Sequence, residues 1–272
     1  MRLVRYHGLG NDYLVLDAGP TPTPALVRAI CDRHHGVGSD GLLVPEPTTE
    51  ADFGLAIYNP DGSRAEKSGN GLRIFARWLV EHRGAPSAFT VSTGPCRVAC
   101  EVGPDDISVQ MGTASFAPAD VPSTLGADGH IDGVPHPVLP VGMGNPHAVI
   151  FVDAPDLDAL PWRAWGEAIE VHPAFPNRTN VQIARVCGAA AVQIRIWERG
   201  AGHTLASGSS SCAVAAAAVH TGRLQPGWVA VHMEGGRLDV GVVDDFAITL
   251  RGPVERVGVI EVDPAWVARR RA

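Results

Sequence analysis

The chain has 272 residues, of which 45% are hydrophobic and 19% charged, and its formal net charge is −7. That length supplies a large core and suggests one large domain or two of roughly 130 residues. The acidic balance excludes the basic face that nucleic acid or anionic lipid requires, and no apolar run approaches the roughly 20 residues of a membrane helix.

The opening Met1-Arg2-Leu3-Val4-Arg5 lacks the apolar stretch of a secretory signal, so a cytoplasmic protein is expected. Cys31, Cys96, Cys100, Cys187 and Cys212 are an odd, scattered set and form no disulfide framework. Cys96 and Cys100 are four apart in an apparent strand and read as buried thiols rather than zinc ligands. His34-His35 reads as a structural pair at a helix end. The basic ending Val267-Ala268-Arg269-Arg270-Arg271 reads as a solvated tail.

In chain order, a first glycine-rich turn, Gly8-Leu9-Gly10-Asn11, opens the apolar strand Asp12 to Leu16, closed by Asp17-Ala18. Asn59-Pro60-Asp61-Gly62 is a turn signal after Ile57-Tyr58. Ser68-Gly69-Asn70-Gly71 then leads into a helix, because Leu72, Phe75, Ala76, Leu79 and Val80 recur at helical spacing. Gly84 sits where a left-handed C-terminal cap belongs. Strand-like residues run from Phe89 to Val102, and the Pro/Ala-rich stretch from Phe116 to Gly129 reads as a linker. The pattern then repeats. Gly142-Met143-Gly144-Asn145 opens an apolar strand that also ends in Asp153-Ala154. Ile196-Trp197-Glu198 leads through Ser207-Gly208-Ser209-Ser210 into a stretch closed by Gly222, and strand-like residues follow from Val229 to Val243. The stretch Ala213 to Val219 is apolar on every side, which predicts a helix buried all round.

Internal repetition of this kind predicts an α+β protein of two pseudo-symmetric lobes, each a mostly antiparallel sheet wrapped around a central helix. The lobes are expected at residues 1–116 and 117–255. Each central helix begins with small residues. Its first N–H groups lack internal acceptors and carry the positive end of the dipole, so a carboxylate or phosphate is the expected guest. Two such ends facing each other across a cleft would place Ser68 and Ser207 on opposite faces of the atom beside a bound carboxylate. That is the arrangement of a two-base racemisation, in which one group removes the α-proton and the other delivers one to the far side. Taken singly, Ser68 is a helix N-cap and the serine run after Ala206 a flexible loop. Neither serine stands in a Gly-x-Ser-x-Gly elbow, and no phosphate-loop pattern is present.

Eight stretches carry a resemblance beyond this: His7-Gly8-Leu9-Gly10-Asn11-Asp12-Tyr13, Gly36-Val37-Gly38-Ser39-Asp40-Gly41, Asn59-Pro60-Asp61-Gly62-Ser63, Ser68-Gly69-Asn70-Gly71, Gly144-Asn145-Pro146-His147, Asn180, Glu198-Arg199-Gly200-Ala201-Gly202 and Ser207-Gly208-Ser209. In order and approximate spacing the chain resembles the diaminopimelate epimerases, isomerases of lysine and peptidoglycan-precursor biosynthesis that work without pyridoxal phosphate. The resemblance implies their two-lobed fold, with the segment after Glu255 returning to the first lobe. It implies that the backbone at Gly69, Asn70, Gly208 and Ser209 holds the reacting carboxylate. Asn11, Asn59, Asn145, Asn180, Glu198 and Arg199 would hold the rest of a small-molecule amino-acid substrate. Arg suits a distal carboxylate and Asn or Glu oxygens an ammonium. Read alone, each Asn is a turn residue and Arg199 a salt-bridge partner of Glu198.

The family's pattern has cysteines where this chain has Ser68 and Ser207. A serine hydroxyl is far less acidic than a thiol and needs an adjacent base. His147 and Glu198 match positions near the catalytic pair and are the candidate bases, with His203 an exposed loop histidine on the bland reading. Cys212, on the helix body, does not replace the missing thiol. No metal or organic cofactor is implied, and a homodimer is the assembly left open. Besides a diaminopimelate epimerase, three readings stay in view: a racemase of another amino acid, an amino-acid-binding paralogue without turnover, and an isomerase of the phenazine-biosynthesis type.

Overall fold

The computed structural model describes residues 1–94, 96–126 and 128–270; Arg271 of the basic ending lies outside the described residues. The chain divides into two compact units, Met1–Gln110 with Gly252–Ala272, and Met111–Arg251. No helix among the described residues is long and apolar enough to cross a membrane.

The first unit opens with β1 (Arg2–Gly8) and β2 (Asn11–Ala18), then α1 (Pro24–Cys31), β3 (Leu42–Glu46), β4 (Phe53–Tyr58) and β5 (Arg64–Ala65). Helix α2 (Gly69–Arg83) follows, then β6 (Ala88–Ser92), β7 (Arg97–Val102) and β8 (Asp106–Thr113). The β1–β2 connection is two residues, Leu9 at φ 57° and Gly10 at φ 90°. Positive φ at both positions suits the twist of a tight hairpin, and glycine carries the second at no steric cost. Strands β1–β2, β3–β4, β4–β5, β6–β7 and β7–β8 pair antiparallel, whereas β2–β3 and β4–β6 are parallel.

The second unit runs β9 (Val138–Gly142), β10 (Pro146–Phe151), α3 (Trp162–Glu170), β11 (Asn180–Gly188), β12 (Ala191–Glu198) and β13 (Gly202–His203). Helix α4 (Gly208–His220), β14 (Gly227–Met233), β15 (Gly236–Val242) and β16 (Ala247–Pro253) complete it. Its pairings reproduce the first unit step for step: β9–β10, β11–β12, β12–β13, β14–β15 and β15–β16 antiparallel, β10–β11 and β12–β14 parallel. The repeat read in the sequence is therefore a repeat of topology. The last strand, β17 (Glu255–Glu261), pairs antiparallel with β1, and α5 (Pro264–Ala268) follows it. Val267 is buried in the cluster formed by Leu3, Leu14, Leu26 and Ile30.

The two central helices are enclosed for different reasons. Along α4, Cys212 to Ala218 are all fully buried, and small alanines let the sheet approach closely on every side. The spacing along α2 predicts one apolar face, yet Arg73, Ile74 and Trp78 are also fully buried, while Val80 is only half-buried. The sheet covers more of this helix than the periodicity implies. Gly84 caps α2 at φ 63°, and nothing stands within 4 Å of where its Cβ would be. Gly84→Ala should therefore cost about 1 kcal/mol of stability through backbone strain alone. Urea denaturation measures this; an unchanged midpoint would mean that the cap relaxes freely.

Two smaller expectations change. The Phe116–Gly129 stretch lies inside the second unit, where Val121 is buried and the Thr124 N–H donates to the Ala174 carbonyl at 2.9 Å. A free linker would leave both in solvent. Cys96 precedes β7 and is half-buried; Cys31, Cys100 and Cys212 are buried and Cys187 is exposed.

Candidate active site

In the first unit, Ser68 is the N-cap of α2, with extended backbone at φ −141° and ψ 119°. Its Oγ accepts the Gly71 N–H at 3.0 Å and lies 3.2 Å from the Tyr13 hydroxyl. The N–H groups of Gly69 and Asn70 belong to the first turn, where a helix offers no internal acceptor. Beside them runs a chain of polar side chains. Arg73 donates to Asn70 Oδ1 at 2.9 Å, Asn70 donates to Asn11 Oδ1 at 2.9 Å, and Asn11 donates to Asp40 at 2.9 Å. Arg33 then bridges Asp40 at 2.6 Å and Asp12 at 2.8 Å, and Arg5 closes on Asp12 at 2.5 Å. Asn11 and Asn70 are thus fixed in orientation by charged groups several residues removed. Asn59 stands at the end of β4 and donates to Ser63 Oγ at 3.0 Å, so its amide braces the turn.

In the second unit, Ser207 is the N-cap of α4, extended at φ −146° and ψ 124°, and is buried. Its hydroxyl makes no capping hydrogen bond, while its carbonyl accepts the Ser211 N–H and hydroxyl. The serine run is the first turn of the expected helix rather than a flexible loop, with Ser210 and Ser211 fully buried and Gly208 and Ser209 at its start. The two serines therefore differ. An N–H is aimed at the Ser68 oxygen, while the Ser207 oxygen is held by no cap.

His147 does not stand as a free base. It is fully buried in β10, with Nδ1 3.0 Å from the Gln182 side-chain N–H and Nε2 2.9 Å from Asn145 Oδ1. With Nδ1 accepting, Nε2 carries the proton and donates it to Asn145, which orients that amide. Burial pushes the imidazole pKa down to about 3, against a hydrogen bond from Gln182 that raises it and with the Arg199 charge lowering it further. An unfolded histidine titrates near 6.5, so between these values the unfolded chain binds more protons. The stability from the buried neutral ring is whole above about pH 6.5 and is lost as pH falls toward 3. His147→Gln should flatten that acid-side decline, measured as unfolding free energy at pH 7 and pH 5. Equal declines in both proteins would show that other groups carry it.

Asn180 ties two segments together: its amide donates to the Pro146 carbonyl at 2.9 Å and accepts the Arg199 N–H at 3.0 Å. Glu198 is half-buried at the end of β12, opposite Gly202. The Arg199 side chain is exposed and donates to the Asn177 carbonyl at 3.1 Å. The turn carrying these residues is braced by Glu170, which the sequence reading missed. That buried carboxylate accepts the Gly200 N–H at 2.6 Å and the Trp197 ring N–H at 2.8 Å, and pairs with Arg178. His203 is half-buried in β13, 2.6 Å from Glu234 and edge-on to Trp162, rather than loose in a loop. Gln182 was missed as well; it touches His147 and Ser210 from the middle of β11, where a buried polar side chain in an apolar strand was the available signal. Among the described residues, no three His, Cys, Asp or Glu side chains gather as a metal site.

The family model described as diaminopimelate epimerase matches residues 3–117 and 139–257. The chain belongs to the diaminopimelate epimerase family. A relative named "Diaminopimelate epimerase 2" from a Nostoc species is 41% identical over 274 residues, covering 94% of each chain. One named diaminopimelate epimerase from Pelotomaculum thermopropionicum is 38% identical, covering 94% of this chain and 97% of its own. Solved structures share the fold at much lower identity. The phenazine biosynthesis protein of the PhzF family from Bacillus anthracis superposes with a TM-score of 0.73 at 14% identity, covering 97% of this chain and 99% of its own. The hydroxyproline epimerase from Agrobacterium vitis gives 0.69 at 18%, covering 98% and 94%. Family membership places the enzyme among the isomerases, and the phenazine-type likeness extends to the fold alone.

Proposed function

We propose that this chain epimerises diaminopimelate at Cα, converting the LL to the meso form by two-base proton transfer without a cofactor. The observation that carries the reading is the matched pair of helix N-termini, capped by Ser68 and Ser207 at the same step of a repeated topology. In this reading the first-turn N–H groups of Gly69, Asn70, Gly208 and Ser209 receive the reacting carboxylate. Ser68 and Ser207 address opposite faces of Cα. Ser68 is assigned the proton-accepting side, because its Oγ already receives an N–H that favours negative charge. Asn11 and Asn145 present amides held rigid by their neighbours, while Asn59, Asn180 and Glu198 shape the pocket, and Arg199 takes the distal carboxylate. His147 orients Asn145 rather than moving a proton. The enzyme is proposed to work in the cytoplasm, as a homodimer, in lysine and peptidoglycan-precursor biosynthesis.

Solvent deuterium uptake at Cα tests the reading, with L,L- and meso-diaminopimelate, lysine, ornithine and histidine each offered to the purified protein. Exchange confined to diaminopimelate is expected. Exchange with another amino acid instead would name a different racemase, and binding without exchange would leave only a paralogue that holds its ligand. Arg199→Ala should raise KM for diaminopimelate about 10- to 100-fold, the worth of one charged hydrogen-bonded contact, with kcat little changed. An unchanged KM would make Arg199 a brace for the Asn177 turn.

A further inference from the structure

Tyr13 lies in β2, and only 8% of its surface is exposed. Its ring is held tightly, since a Cβ on Gly41 would stand 2.5 Å from Cε1. The phenol oxygen is 3.2 Å from Ser68 Oγ, and that same Oγ accepts the Gly71 N–H at 3.0 Å. A serine alcohol is too weak an acid to act as a base at Cα without help, and a phenol is the more acidic hydroxyl by far. A phenol near pKa 10 ionises at an alkaline pH where a serine alcohol does not, and its oxygen lies against Ser68 Oγ, so its phenolate can accept the serine proton as that oxygen takes one from carbon.

We propose that Tyr13 is the proton partner of Ser68 in the epimerisation, a positioning residue that acts through the serine hydroxyl. The proposal rests on the reading that Ser68 faces the reacting carbon. In one direction the Tyr13 phenolate accepts the Ser68 hydroxyl proton while Ser68 Oγ takes the proton from Cα. The Cα–H bond breaks, a Tyr13 O–H bond forms, and Ser68 ends as the alcohol it began. The electron pair left at Cα is held on the substrate carboxylate until a proton arrives from the Ser207 face. Between turnovers Tyr13 gives its proton to solvent base and Ser207 regains one from water. The reverse reaction runs the same relay backwards, from Tyr13 through Ser68 to Cα. Gly71 N–H steadies the negative charge on Oγ in passing.

Asp12 and Lys67 adjoin this pair in sequence, Arg73 lies one turn into α2, and the strands packed on that helix carry Arg5 and Tyr6 on β1 and Cys100 on β7 among their titratable side chains. Tyr6 donates to Glu81, and its titration is pushed far up by burial, so it does not shape a profile in the working range. Cys100 is likewise pushed up to about 12 by burial.

Tyr13→Phe keeps the ring and removes only the oxygen. With diaminopimelate as substrate, kcat should fall roughly 100-fold or more and KM should hold, and the rise of kcat with pH that a phenolate partner gives the parent should disappear. A kcat and pH profile matching the parent would overturn the proposal, whereas a merely structural role would leave the profile in place. A second arm needs no turnover. In Ser68→Cys, the pH midpoint for alkylation of the new thiol by iodoacetamide, followed by peptide mass spectrometry, should rise by roughly one unit when Tyr13→Phe is added. That is the loss of one hydrogen bond to an anion. If the parent exchanges no α-proton with any amino acid, the functional reading falls and this arm decides the pairing: a shifted midpoint upholds it, an unmoved one overturns it.

Discussion

Ser68→Cys combined with Ser207→Cys is expected to raise turnover on diaminopimelate by roughly 10² to 10⁴-fold, the range a well-matched proton carrier supplies. A free thiol titrates near 8.5 and lower at a helix N-terminus, so a useful fraction ionises near neutral pH. The surroundings are ready for it. Residue 68 already receives the Gly71 N–H, and residue 207 sits buried at the start of a helix whose body, Cys212 to Ala218, is fully buried, without a capping bond to break. Steady-state kinetics and Cα deuterium uptake, run side by side on parent and double variant, measure the change. A variant that stays inert while its ligand affinity is unchanged would mean that the pocket is tuned to another substrate or only binds.

Glu170→Ala is expected to cost about 2–4 kcal/mol of stability, because two donors lose their acceptor at once. The Gly200 N–H and the Trp197 ring N–H both end on this carboxylate, whose side chain is only 7% exposed. Arg178 is half exposed and can return to water, so its share of the loss is small. The same change frees the turn that carries Glu198 and Arg199, so KM for diaminopimelate should rise as well. Glu170→Gln, which keeps one acceptor, should lose about half as much. Urea unfolding of the three proteins decides it; a loss under about 1 kcal/mol for the alanine variant would mean that water takes over both donors.

Much of this molecule is legible along the chain because it is written in local terms. The two central helices start at the serines that precede their first small residues, and Gly84 stops α2 with a left-handed residue. Apolar residues all round α4 foretold its burial, and matching motifs in the two halves foretold a repeat that the strand pairings reproduce. Residue type also set the central chemical question, since a serine oxygen and a cysteine sulfur differ in acidity wherever they stand.

The partners of those residues are another matter. Tyr13 meets Ser68 across 55 positions, Gln182 meets His147 across 35, and Glu170 reaches Gly200 across 30. No periodicity or spacing records such meetings, because strands bring residues together through pairing registers that only the folded sheet selects. Burial adds what residue type leaves open: His147 is enclosed between the Gln182 and Asn145 amides with its pKa pushed down to about 3, and the Arg199 side chain stands exposed. The sequence by itself determined the elements, their repetition and the groups able to handle a proton or a carboxylate. Tertiary structure alone decided which of those groups are desolvated, which hydrogen bonds already occupy them, and so which are free to act.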